Sequence, residues 1–90
     1  MSEVVDNRAR HRFELEVEGE TAFAAYKRED GTIAFTHTIV PPALEGRGIG
    51  SRLVHDALAK VRAEGLKVVA LCPFVQAYIE KHPEEQDLLA

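Results

Sequence analysis

Cysteine is nearly absent: the chain has one, Cys72, among ninety residues. A single thiol forms no intrachain disulfide. The polar, mixed-charge N-terminus (Met1 to Arg10) lacks the apolar stretch of a secretory signal, so a reducing, cytoplasmic setting is expected. No apolar run approaches the ~18–20 residues that span a bilayer, which excludes a helical membrane anchor within this sequence. The four histidines, His11, His37, His55 and His82, stand far apart, and none lies at ligand spacing from another or from Cys72. No metal is therefore expected. A basic excess is also missing: 15 acids face 11 bases, which argues against a nucleic-acid partner. Glycine (6) and proline (4) are too sparse for a low-complexity chain, and a hydrophobic content of 46% is too high for disorder. What is left is one small globular domain, expected over residues 10–90 behind a flexible arm at 1–9. A chain of this size buries about 60–65% of its unfolded surface, too little for a two-lobed active site.

The hydrophobic pattern predicts the order β-β-β-α-β-α. Phe13, Leu15 and Val17 alternate with Arg12, Glu14 and Glu16, the period of a half-buried strand over His11 to Val17. Glu18-Gly19-Glu20 reads as a turn. A second strand over about Thr21 to Arg28 alternates poorly, as if both faces were partly covered. Asp30-Gly31 is a hairpin signal, and a third strand from Thr32 to Val40 must stop at Pro41-Pro42. Ile49, Leu53, Val54, Ala57, Leu58 and Val61 form one stripe of an amphipathic helix reaching about Glu64, with Gly65 placed to cap it. Leu66 to Cys72 is nearly continuously apolar, as expected of an interior strand returning parallel to the third. Pro73 can open a second helix that ends near His82, before Pro83. The tail, acidic and then apolar at Leu88 and Leu89, is expected to fold back on the core. The fold class is α/β (α+β), a mixed sheet with helices packed on it in two or three layers.

One segment reads as chemistry. In Glu45-Gly46-Arg47-Gly48-Ile49-Gly50-Ser51-Arg52, glycines alternate at the entrance to a helix directly after a strand. Free amides and the positive end of the helix dipole attract phosphate there, and Arg47, Ser51 and Arg52 add side-chain donors. The dinucleotide fingerprint wants glycines at relative positions 1, 3 and 6, whereas these fall at 1, 3 and 5. The Gly-Lys-Ser/Thr ending of a P-loop is absent as well. A competing reading is purely structural: the glycines turn the chain and let the helix pack close.

Val40 to Val54 resembles the acetyl-CoA loop of the GNAT acetyltransferases, whose pattern is Arg/Gln-x-x-Gly-x-Gly/Ala at the start of the central helix. The Cys72-Pro73-Phe74, Tyr78-Ile79 and His82-Pro83 run extends the likeness over about residues 32–84, closest to the minimal single-domain subgroup of that family. The chain departs from the family at Glu45, where the family has Arg or Gln. It also lacks the two helices that full-length members insert between their first two strands. The resemblance implies a minimal GNAT fold that uses acetyl-CoA as co-substrate. It implies that Gly46, Arg47, Gly48, Ile49, Gly50 and Ser51, assisted by Arg52, hold the pyrophosphate, while Thr38, Ile39 and Val40 hold the pantetheine arm.

Three residues are candidates for the chemistry the resemblance implies. Tyr78 is the candidate acid for the departing thiolate, or a tyrosine packed on the core. Cys72, at the end of its strand, is a candidate nucleophile or a pocket-lining residue. His37 is the candidate base, directly or through water, or simply covers the sheet. His55 reads as solvated and His82 as a helix end. The implied activity is N-acetylation of a primary amine, on a small molecule or a peptide, by direct attack on the thioester. The alternative is an acyl-CoA-binding module without turnover, and a third reading is a nucleotide-binding domain. A homodimer would let so small a chain complete its pocket with a neighbour.

Overall fold

A computed structural model describes residues 3–90. A five-stranded mixed sheet runs β1 (Val5–Asn7), β2 (Arg12–Val17), β3 (Glu20–Glu29), β4 (Thr32–Ile39) and β5 (Lys67–Ala70), in that spatial order. The first four strands are antiparallel and β5 joins β4 in parallel, with Thr32 opposite Lys67 and Phe35 opposite Ala70. Helix α1 (Ile49–Ala63) makes the crossover and α2 (Pro73–Lys81) follows β5. Single turns of 3-10 helix occupy Arg8–Arg10 and Pro42–Leu44, and a longer one spans Pro83–Leu88. The minimal GNAT-like class expected above is the one observed.

One face of the sheet is apolar and both helices share it. Phe13 and Leu15 on β2, Ala22 and Ala24 on β3, and Ile33 and Phe35 on β4 are buried in one cluster with Leu53, Leu58, Val75 and Ile79 of the helices. The alanines of β3 leave room for α1 to cross closely. The helix ends on two bonds of a Schellman motif, Gly65 N–H to Arg62 C=O at 3.0 Å and Leu66 N–H to Val61 C=O at 3.2 Å. Among the described residues, no helix is long and apolar enough to cross a membrane.

The structure corrects two expectations. The arm at 1–9 is, from Val4 on, part of the fold: Val4 is buried, and β1 pairs with Arg12 to Glu14. A three-residue strand is too short to show a period. What forms it is the turn behind it, where the Asn7 side chain accepts from the Arg10 N–H and His11 takes φ 54°. Residues 1 and 2 of that arm lie outside the described residues. The apolar run Leu66 to Cys72 is an edge strand, not an interior one. Val68 and Cys72 are buried, while Val69 and Leu71 face outward, so half the run's apolar character is at the surface.

The tail does fold back. Leu88 is buried, the Ala90 N–H donates to Val68 C=O at 2.9 Å, and Arg62 of α1 holds Asp87 at 2.7 Å and Glu85 at 3.2 Å. Arg28 of β3 bridges Asp6 (2.7 Å) and Glu64 (3.0 Å), tying β1 to the end of α1.

Candidate functional site

The glycine segment is shaped by what precedes it. Pro41 and Pro42 end β4, and a 3-10 turn drops Leu44 into the core, leaving Glu45 extended. Gly46 (φ +77°) and Gly48 (φ +72°) are then both left-handed, a backbone that side-chain-bearing residues reach at a cost of about 1–2 kcal/mol. A Cβ on either would meet nothing within 4 Å, so conformation, not crowding, calls for glycine. Gly48 caps α1 without any side-chain hydrogen bond, and Arg52 N–H to Gly48 C=O (3.1 Å) is the first bond across the cap. The amides at such a helix start are the ones that its own hydrogen bonds leave over, the donors that an anion cradle uses. Gly50 does a different job. A Cβ there would lie 2.8 Å from Phe74 Cζ and 3.3 Å from Val40 Cγ2, so it is a packing glycine.

A cleft of about 490 Å³ lies beside this loop, a volume that suits small-molecule ligands. Thr38, Ile39 and Val40 form one wall, the segment from Leu44 to Ser51 without Arg47 another, and Phe74 the third. It exists because β4 outruns β5. Pairing ends at Phe35 opposite Ala70; then the Leu71 N–H (3.1 Å) and the Cys72 N–H (2.9 Å) both converge on Phe35 C=O as the chain bends into α2. The last residues of β4 are thereby left without a partner strand on that side.

A bulge decides which β4 side chains face the core. Tyr26 stands opposite Phe35 but Ala25 opposite His37, so Thr36 is the extra residue and the alternation shifts by one. Thr38 consequently turns toward the buried face, where its Oγ1 lies 3.4 Å from Cys72 Sγ. His37 turns to the other face, exposed and edge-on to Phe23.

Of the expected site residues, Thr38, Ile39, Val40, Gly46, Gly48, Ile49, Gly50 and Ser51 come together around the cleft. Arg47 points away from it to Glu18 on the β2–β3 turn, at 2.7 Å. Arg52 faces Asp56 at 3.5 Å, one turn along α1. Cys72, 3% exposed, reaches the cleft only through Thr38. Tyr78 is buried, its ring stacked on His82 with centroids 3.9 Å apart. Burial, with the negative charges of Glu85, Glu84 and Asp56, pushes its hydroxyl above the ordinary tyrosine range, so it stays protonated at neutral pH. Tyr78, Cys72 and His37 therefore do not form one cluster. His55 is exposed beside Asp56, and His82 ends α2 with its Nδ1 2.7 Å from Tyr78 C=O. Sequence reasoning missed Phe74 as a lining residue. The available signal was a large aromatic two residues beyond Cys72, at a helix start where burial is incomplete. No group of His, Cys, Asp and Glu suited to a metal ion occurs among the described residues.

Comparison with known proteins places this geometry in a family. The model described as GCN5-related N-acetyl-transferase matches residues 12–88. A protein named NATD1 from Gallus gallus is 34% identical over 89 residues, covering 96% of this chain and 81% of its own. The NATD1 of Mus musculus is 34% identical over 88 residues, covering 94% and 80%. That of Xenopus tropicalis is 39% identical over 57 residues, 63% of this chain and about half (52%) of the frog protein.

Proposed function

The chain belongs to the GCN5-related N-acetyltransferase family, and from that premise we propose that it is an acetyl-CoA-dependent N-acetyltransferase acting on a primary amine. One observation carries the reading: the unpartnered end of β4 faces two left-handed glycines that lead into a helix without a side-chain cap, across a cleft of ligand size. The residues fit the co-substrate. When bound, acetyl-CoA supplies an activated acyl thioester. The amides from Gly46 to Ser51 hold its diphosphate, through free N–H groups and the helix dipole. The backbone of Thr38 to Val40 offers N–H and C=O groups to the amide-bearing arm, and Phe74 covers it.

Transfer forms a C–N bond and breaks a C–S bond, so one proton leaves the amine and one reaches the departing sulfur. Cys72 is the candidate best connected to the cleft for that second proton, because Thr38 touches both. Glu45 on the cleft lining suits a cationic amine, on a small molecule or a peptide. A homodimer would complete the acceptor side.

A second reading, an acyl-CoA-binding module without turnover, is favoured by one observation: none of Cys72, Tyr78 and His37 lines the cleft. Calorimetry with acetyl-CoA tests binding, and thiol release from acetyl-CoA with a panel of primary amines separates the two readings. Absence of binding at millimolar acetyl-CoA sinks both; binding without thiol release leaves the module.

A further inference from the structure

Arg47, set between the two left-handed glycines, is absent from the cleft lining, because its guanidinium is held 2.7 Å from a carboxylate oxygen of Glu18. The placement of Glu18 is unusual. It is the first residue of the two-residue turn that joins Val17 to Glu20, with φ 51°, followed by Gly19 at φ 81°. Two positive φ values define a I′ turn, where Asn or Gly sits with less strain than Glu. The pairing holds the Glu18 carboxyl below the ordinary carboxylate range and raises Arg47. A second carboxylate, Glu45, lines the cleft itself. The side-chain charge presented to a phosphate is therefore acidic, and attraction is left to backbone amides.

We propose that Glu18 is a specificity-determining residue for this cleft: by holding Arg47 outward it withholds the guanidinium from phosphate groups, so that a ligand is selected through its arm. The inference rests on reading the cleft as an acyl-CoA site. A nucleotide without a pantetheine arm gains only the amide cradle, whereas a ligand that also fills the wall of Thr38 to Val40 gains both. Discrimination of this kind is achieved by discounting what competitors share. Because both partners are solvent-exposed, the pair is weak and screened by salt, so a diphosphate that engages Arg47 can displace it. Glu18 thus tunes affinity without blocking the site.

The test is calorimetry at low and high salt on the whole chain, comparing wild type, Glu18→Gln, Arg47→Gln and the double variant. The probes are acetyl-CoA, inorganic pyrophosphate and the phosphate-free acetyl-pantetheine. Glu18→Gln is expected to tighten acetyl-CoA and pyrophosphate about three- to tenfold at low salt. The gain should shrink at high salt, vanish in the Arg47→Gln background and be absent for acetyl-pantetheine. Unchanged or weaker binding by Glu18→Gln overturns the proposal, as does a gain that persists without Arg47. Glu18→Asn, which suits the turn geometry, serves as a second carboxylate-free variant if Glu18→Gln folds poorly. If wild type binds acetyl-CoA and Glu18→Gln gains nothing, only the role of Glu18 falls. If Glu18→Gln gains for pyrophosphate while no variant binds acetyl-CoA, the acyl-CoA reading falls and the role of Glu18 stands.

Discussion

Gly50 and Phe74 are in contact so close that a single methyl group on the glycine would stand 2.8 Å from the ring's Cζ. The alternating glycines therefore divide their labour: two shape the loop by conformation, and the third seats an aromatic from α2 against the start of α1. Gly50→Ala should consequently act on the ligand more than on the fold. Alanine is the better helix former by about 1 kcal/mol, which offsets much of the packing strain. Phe74 is partly exposed, so its ring can yield, and the open direction is the cleft. The expected result is a melting temperature within a few degrees of wild type with about tenfold weaker acetyl-CoA binding. Phe74→Leu in the same chain should restore much of that affinity. Equal affinity in Gly50→Ala and wild type would show that Phe74 does not bound the ligand.

The candidate catalytic residues separate by reach. Cys72 touches Thr38, which lines the cleft, while Tyr78 is stacked on His82 and His37 occupies the outer face. Cys72→Ala is expected to lower kcat at least tenfold with little change in acetyl-CoA affinity. Tyr78→Phe should retain kcat within about threefold, because the stacked ring is kept and only the hydroxyl is lost. The two kcat values, measured by thiol release under saturating acetyl-CoA, decide this; a larger loss in Tyr78→Phe would transfer the acid role to it.

Much of this architecture was legible because burial is one-sided. Phe13, Leu15 and Val17 alternate cleanly since only one face of β2 is covered, and the stripe from Ile49 to Val61 follows from a helix lying on that same face. The bulge at Thr36 was not legible, since it depends on how β4 pairs with β3, and it sends His37 and Thr38 to opposite faces. The edge position of β5 was hidden for a related reason. A run of apolar residues looks the same whether Val69 and Leu71 meet another layer or water. The direction of Arg47 was set by a residue 29 positions away in sequence, which no local motif encodes.

Acid sensitivity should trace to Glu64. Hydrogen bonding to Arg28, reinforced by the charge of Arg8, holds its carboxyl below the ordinary glutamate range, against a smaller opposing effect of burial. A carboxyl whose folded value is depressed stabilises the protein above its unfolded value, near 4.5. That contribution is lost as pH falls through the folded value. Urea unfolding at pH 7, 5 and 3 should show stability roughly flat between 7 and 5 and falling below about 4.5. Glu64→Gln should be less stable than wild type at pH 7, and the gap should narrow at pH 3. A constant gap across that range would mean that Glu64 acts by shape and not by charge.

The outer edge of β5 is guarded by side chain and tail together. Ala90 N–H covers Val68 C=O, and Gln76 Nε2 donates to Ala70 C=O at 2.8 Å. Between them they occupy acceptors that an incoming strand would otherwise use, on an edge that exposes Val69, Leu71 and Leu89. An apolar edge with a free carbonyl is a template for pairing with another chain. Gln76→Ala uncovers the Ala70 carbonyl while leaving the buried side of α2 intact, because Gln76 is exposed. The fold should persist, with circular dichroism and melting temperature near wild type. Self-association should rise, seen as a concentration-dependent increase in sedimentation coefficient at tens of micromolar. Gln76→Glu presents a carboxylate to that carbonyl in place of a donor, so it too uncovers the acceptor, but it adds a charge that repels a second copy. It should therefore associate no more than wild type, whereas equal association of both variants would mean that exposed leucines, and not the strand edge, drive the contact.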